Sequence, residues 1–78
     1  MTVQIITPEK VIYSGEANLV QLPGTDGSFE ILKNHTAMIS TLKKGKVKVE
    51  VADKSVETFE INGGVVEVLK NKVIVLAD

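Results

Sequence analysis

The clearest periodicity in the chain is Lys46-Val47-Lys48-Val49-Glu50-Val51, where valines alternate with charged residues. Successive side chains of a strand point to opposite faces, so this pattern predicts a strand with one buried and one wet face. Val3-Gln4-Ile5, Asn18-Leu19-Val20-Gln21-Leu22, Val56-Glu57-Thr58-Phe59-Glu60-Ile61 and Val65-Val66-Glu67-Val68-Leu69 also read as strands. Val73-Ile74-Val75-Leu76-Ala77 is apolar at every position, which predicts a strand covered on both faces. Between these runs lie turn signals: Pro8-Glu9-Lys10, Pro23-Gly24-Thr25-Asp26-Gly27, Lys43-Lys44-Gly45, Ala52-Asp53-Lys54, Asn62-Gly63-Gly64 and Lys70-Asn71. A spacing of roughly 8–12 residues between turns is that of a β-sandwich or small barrel. No stretch joins helical periodicity to good helix formers and adequate length; Asn34 to Thr41 has room for a helical turn at most. The expected architecture is all-β, a two-sheet β-sandwich.

Composition supports strands and narrows the chemistry. Valine, isoleucine and threonine supply 25 of the 78 residues, and their branched side chains suit strands better than helices. One domain is expected at this length, burying roughly 60% of the surface its unfolded chain exposes. There is no cysteine, hence no disulfide framework and no thiolate. Small secreted domains usually rely on such bridges, so an intracellular location is expected. The opening Met1-Thr2-Val3-Gln4-Ile5-Ile6-Thr7 has neither the basic stretch nor the apolar core of a signal peptide. No apolar run approaches the about 18 residues of a membrane span. Net charge is −1 and all nine basic residues are lysines. Arginine-poor, near-neutral chains lack the footprint of a nucleic-acid binder, and Tyr13, Phe29 and Phe59 are too few for a base-stacking platform.

Catalytic candidates are sparse. His35 is the only histidine, and no serine sits in a nucleophile-elbow context. Transition-metal sites usually combine several His, Cys or carboxylate ligands, which a lone histidine does not provide. Most carboxylates alternate with apolar residues, the pattern of a solvated strand face. Gly24-Thr25-Asp26-Gly27 has the spacing of a GxxG clamp but lacks its helical setting and basic neighbours, and reads as a tight turn. Gly63-Gly64 reads as a strand bend or bulge. Ala52-Asp53-Lys54-Ser55-Val56 resembles the Asp-Lys-Ala hairpin of lipoyl carrier domains, which are all-β and of this size. On that alternative reading Lys54 carries the cofactor, although here the lysine lies two-thirds along the chain rather than near its middle.

A longer resemblance spans the whole chain. Leu22-Pro23-Gly24-Thr25-Asp26-Gly27-Ser28-Phe29-Glu30-Ile31-Leu32, followed by Asn34-His35-Thr36-Ala37-Met38-Ile39 and Leu42-Lys43-Lys44-Gly45, resembles the signature of the epsilon subunits of F-type ATP synthases. Pro8-Glu9-Lys10-Val11-Ile12-Tyr13-Ser14-Gly15 is similar to that family's first turn. Asn62-Gly63-Gly64-Val65-Val66-Glu67-Val68 and Val73-Ile74-Val75-Leu76-Ala77-Asp78 are similar to the end of its sandwich domain. The chain departs from the family pattern at Glu30, where the family has glycine. Lys33-Asn34 replaces Pro-Gly, and Ala37 replaces proline. The resemblance implies a sandwich of about ten short strands over residues 1–78, without the helical hairpin of longer members. It implies a non-catalytic rotor subunit at the foot of the central stalk, on the cytoplasmic face of the bacterial inner membrane. There it would link the gamma subunit to the membrane ring of proton-carrying subunits, with no cofactor, metal, nucleic acid or nucleotide of its own. By the same resemblance, Gly24, Thr25, Asp26, Gly27, Ser28, Phe29 and Glu30 form a loop that touches the ring. Thr7, His35, Thr36 and Ser40 match positions at or near the gamma contact.

Overall fold

The computed structural model describes residues 1–78 and contains nine strands and no helix. They are β1 (Thr2–Ile6), β2 (Val11–Glu16), β3 (Leu19–Gly24), β4 (Gly27–Leu32), β5 (Met38–Leu42), β6 (Gly45–Glu50), β7 (Val56–Ile61), β8 (Gly64–Leu69) and β9 (Lys72–Ala77). The count is nine where about ten are expected. Three of the nine, β2, β4 and β5, fall in segments whose residues show no clean alternation.

The strands form two layers. Sheet I runs β2-β1-β9-β8-β5, and sheet II runs β4-β3-β6-β7. Only the pair Gly24↔Leu42 bridges β3 and β5, so one folded ladder becomes a sandwich at that corner. Hairpins join β1–β2, β3–β4, β6–β7 and β8–β9, while the remaining links cross between the layers. The β8–β9 hairpin turns on Lys70 and Asn71, with φ of 50° and 62°. Positive φ at both central residues is the primed turn whose twist matches the flanking strands. Pro8-Glu9-Lys10 is reversed by Thr7, whose Oγ1 donates to the Lys10 carbonyl at 3.1 Å and accepts from the Lys10 amide at 3.3 Å.

The core lies between the layers and is aliphatic. Val3, Ile5, Val66, Val68, Val73 and Val75 of sheet I face Val20, Leu22, Ile31, Val47 and Val49 of sheet II, and no polar side chain is buried among them. The predicted alternation of β6 holds, with Val47 and Val49 inside and Lys46 and Lys48 in solvent. Met1 adds its side chain to the core, and its amine donates to the Ala17 carbonyl at 3.1 Å. The edge strands β2 and β7 do not pair. Tyr13 and Phe59 close that side instead, with ring centroids 5.3 Å apart and planes tilted by 51°.

Candidate functional site: a braced hairpin and an uncovered apolar face

The seven residues expected as a loop form the end of a hairpin. Gly24 pairs with Gly27, so the turn itself is Thr25 and Asp26, while Gly27, Ser28, Phe29 and Glu30 belong to β4. The alternation that makes β4 a strand is short and begins with glycine and serine, which hid it in the sequence. Gly24 is buried and the Phe29 ring packs against the core; Thr25, Asp26, Gly27, Ser28 and Glu30 remain exposed. The tip is braced against sheet I. The Thr25 amide donates to the Thr41 carbonyl at 3.2 Å, the two threonine hydroxyls lie 3.0 Å apart, and the Lys43 amide donates to the Pro23 carbonyl at 2.8 Å. The Gln21 amide side chain donates to Ser28 Oγ at 3.0 Å. Asp26 therefore projects from a held turn rather than from a loose loop.

The four residues matched to a gamma contact do not form one cluster. Thr7 follows β1 at the end of the sandwich that also holds the hairpin tip, because Ile6, Leu76, Val65 and Thr41 stand in one cross-strand row. His35 and Thr36 lie at the opposite end, where the neighbouring Asn34 amide donates to Asn71 Oδ1 at 2.8 Å and the Thr2 amide donates to the Asn71 carbonyl at 3.2 Å. The two groups stand roughly 15 Å apart along the strand direction, at about 3.3 Å per residue over β1. His35 Nδ1 lies 2.8 Å from the Thr36 carbonyl, which can only accept, so that nitrogen carries the proton. Ser40 shares the inner face of β5 with Met38 and Leu42, while Ile39 and Thr41 face out.

Lys54 sits at the tip of the β6–β7 hairpin with φ of 67°. Asp53 accepts from the Ser55 amide at 3.0 Å and from its hydroxyl. Those Ser55 bonds, the hydroxyl first, hold the Asp53 carboxyl below its ordinary range. This is a self-contained Asx-type turn with an exposed lysine.

The apolar run of β9 predicts cover on both faces, and the structure differs. β9 is covered on one face only. Val73, Val75 and Ala77 are buried, while Ile74 is half-exposed and Leu76 is 52% exposed on the outer face of sheet I. Around them stand Ile39 at 71% and Leu69 at 51% exposure, with Val65 and Ile6 half-exposed. The outer face of sheet II is more polar: Lys46, Lys48, Glu50, Ser28, Glu30, Thr58 and Glu60 line it, with Leu32 and Val56 exposed at one end. A contiguous apolar face opposite a mostly polar one is a candidate protein-contact surface. The signal was present in the doubly apolar run of β9, but a single chain gives no indication of whether the second cover is its own.

No group of three or more His, Cys, Asp or Glu side chains comes together. The sole ion pair within 4 Å joins the Met1 amine to Glu16 at 3.5 Å. The hydrogen bond that Glu16 accepts from Thr2 at 2.8 Å is the chief reason its carboxyl sits below the ordinary range. What the arrangement offers is a polar hairpin tip and an apolar sheet face on one body.

The comparisons with known proteins agree on its kind. The ATP synthase epsilon chain of Chlorobaculum tepidum is 46% identical over 77 residues, covering 99% of this chain and 88% of that protein. The ATP synthase epsilon chain of Sulfurimonas denitrificans is 49% identical over 78 residues, and there this chain spans 60% of the longer protein. The fold recurs in a chain of the Euglena gracilis mitochondrial ATP synthase, in its OSCP/F1/c-ring structure, with a TM-score of 0.90 at 17% identity, covering 96% of this chain and 48% of that one. It recurs again in the central stalk/c-ring structure of the Tetrahymena thermophila mitochondrial enzyme, with a TM-score of 0.82 at 20% identity, covering 97% of this chain and 61% of that one. The sequence matches the family of ATP synthase delta/epsilon chain β-sandwich domains from residue 1 to residue 78. A two-layer sandwich with a braced hairpin and an uncovered apolar face, this chain thus belongs to the delta/epsilon chain family of the ATP synthases.

Proposed function

We propose that this chain is a non-catalytic coupling subunit of the central stalk, joining gamma to the proton-carrying membrane ring on the cytoplasmic face of a bacterial membrane. The observation that carries the reading is that one small body presents two surfaces of different kind, a polar hairpin tip and an apolar sheet face. The braced hairpin tip is polar and carries exposed Asp26 and Glu30, which suits contact with polar loops of a ring. The outer face of sheet I is apolar, which suits a tightly packed partner. Both stand on a β-structure held by 47 backbone hydrogen bonds, 37 of them within the strands, which suits a body that passes force between partners. Family membership makes ATP synthase subunits the natural partners. It also leaves the exposed Lys54 turn a solvent-facing hairpin rather than a carrier site.

The test is a double charge reversal, Asp26→Lys with Glu30→Lys. In membranes carrying the assembled enzyme, ATP-driven proton pumping should fall while ATP hydrolysis and the fold of the chain persist. Cysteines at Thr7, His35, Thr36 and Ser40 should cross-link to gamma, with Thr36, the most exposed, reacting first. Unchanged pumping together with cross-links only to proteins outside the rotor would overturn the reading.

A further inference from the structure

The apolar face of sheet I contains one charge at its centre. Cross-strand pairing sets Glu67 between Ile39 of β5 and Ile74 of β9. Along β8 it stands between the outward Val65 and Leu69. Four aliphatic side chains therefore surround one carboxylate. Shallow depressions of about 440 Å³ and 280 Å³ flank it, the first against Ile39 and Leu69, the second against Ile74 and Lys72. Glu67 has no hydrogen-bonded or ionic partner within the chain, although Lys70 and Lys72 stand nearby at the rim.

Any partner that covers the four aliphatic residues also removes Glu67 from water. A carboxylate buried without compensation costs far more than the apolar contact around it returns, so a partner must bring a donor, and a cation is the strongest one. We infer that Glu67 is a specificity residue of this face, and that the face takes an apolar partner surface carrying one lysine or arginine set among aliphatic side chains. This rests on the reading that the chain packs against another subunit of the stalk. A second copy of the chain is a poor occupant. Stacked about a two-fold axis through the centre of the face, it sets carboxylate against carboxylate. Lys70 and Lys72 sit at the edge of the patch, so they supply charge at the rim while the centre awaits a cation from the partner.

The test uses the assembled synthase depleted of this chain and measures rebinding of the full chain and its variants, with circular dichroism confirming that each is folded. Ile39→Asp should weaken rebinding severely, which establishes the face as an interface. Glu67→Gln should weaken it by about tenfold or more and flatten its dependence on salt, as loss of one desolvated charge pair does. Glu67→Lys should abolish rebinding, while Lys70→Ala and Lys72→Ala should leave it nearly unchanged. If Ile39→Asp weakens rebinding but Glu67→Leu binds as well as the parent, the face is an interface and the cation inference is wrong. If Lys72→Ala or Lys70→Ala matches the loss of Glu67→Gln, the counter-charge is internal and the inference is again wrong. If Ile39→Asp has no effect, the underlying reading of the face fails instead. Sedimentation of the free chain should show a monomer; a dimer dissolved by Ile39→Asp would assign the face to a second copy and overturn the proposal.

Discussion

Replacing Gly64 by alanine tests the crossover that delivers the chain into sheet I. Gly64 opens β8, pairs with Leu42 on one side and Ala77 on the other, and has φ of +146°. That conformation is all but restricted to glycine and costs other residues roughly 1–3 kcal/mol. A Cβ at this position would also overlap the Leu76 carbonyl oxygen and stand 3.0 Å from Ala77 Cα. These are backbone atoms of the neighbouring strand, so relief requires β8 and β9 to part, adding about 1–3 kcal/mol of overpacking. Gly27 supplies the control. Its φ is +133°, but a Cβ there meets nothing within 4 Å, so Gly27→Ala should show the strain alone. A chain of this length has about 4–12 kcal/mol of stability in total, so Gly64→Ala removes a large share of it. In urea unfolding followed by circular dichroism, the two midpoints should differ by about 1–3 M at a slope near 1 kcal/mol per M. If Gly64→Ala proved as stable as Gly27→Ala, the close approach of β9 to the start of β8 would be refuted.

Four further outcomes can be measured. Glu16 titrates below its ordinary value of 4.5 because Thr2 and the Met1 amine bond its charged form. A depressed folded-state pKa gives stability that is present above the unfolded pKa and lost as pH falls through the folded one, so the destabilisation by Glu16→Gln should be seen at neutral pH and vanish in acid. The single tyrosine, Tyr13, has its phenol raised above 10.0, first by burial and then by the charges of Glu57 and Glu16. Its ultraviolet titration should therefore lie above that value and move down in Glu57→Gln, and stability linked to it should be lost as pH rises through the raised pKa. A double-mutant cycle on Tyr13→Leu and Phe59→Leu should give a coupling of about 0.5–1.5 kcal/mol, and zero coupling would show that the rings do not close the seam. Calorimetry of the chain with millimolar ATP and magnesium should show no saturable binding.

On the proposed function, the link from fold to task runs through the corner where the layers meet. Pro23 and Lys43 share a hydrogen bond there, as do Thr25 and Thr41, and the only β3–β5 pair is Gly24 with Leu42. The hairpin tip is thereby fastened to β5, the strand that carries Ile39 on the uncovered face.

The class of the protein and most of its strands were determined by residue type and local order. Alternation in β6, the valine-rich runs of β8 and β9, and the turn residues at Pro8, Asp53, Gly63 and Asn71 act over a few residues, and a pattern of that range can be seen in one sequence. The epsilon-type resemblance likewise rests on ordered local motifs. Tertiary structure alone decided the rest. Gly27 to Leu32 became a strand because β3 lies beside it, not through its own alternation. Thr7 was parted from His35 and Thr36 by the path of β1 beside β9, a pairing between the two ends of the chain. Glu67 read as one more exposed carboxylate on an alternating strand. It became the centre of an apolar surface only when β5 and β9 brought Ile39 and Ile74 to its two sides, because a side chain's surroundings across a sheet are set by register with strands distant in sequence.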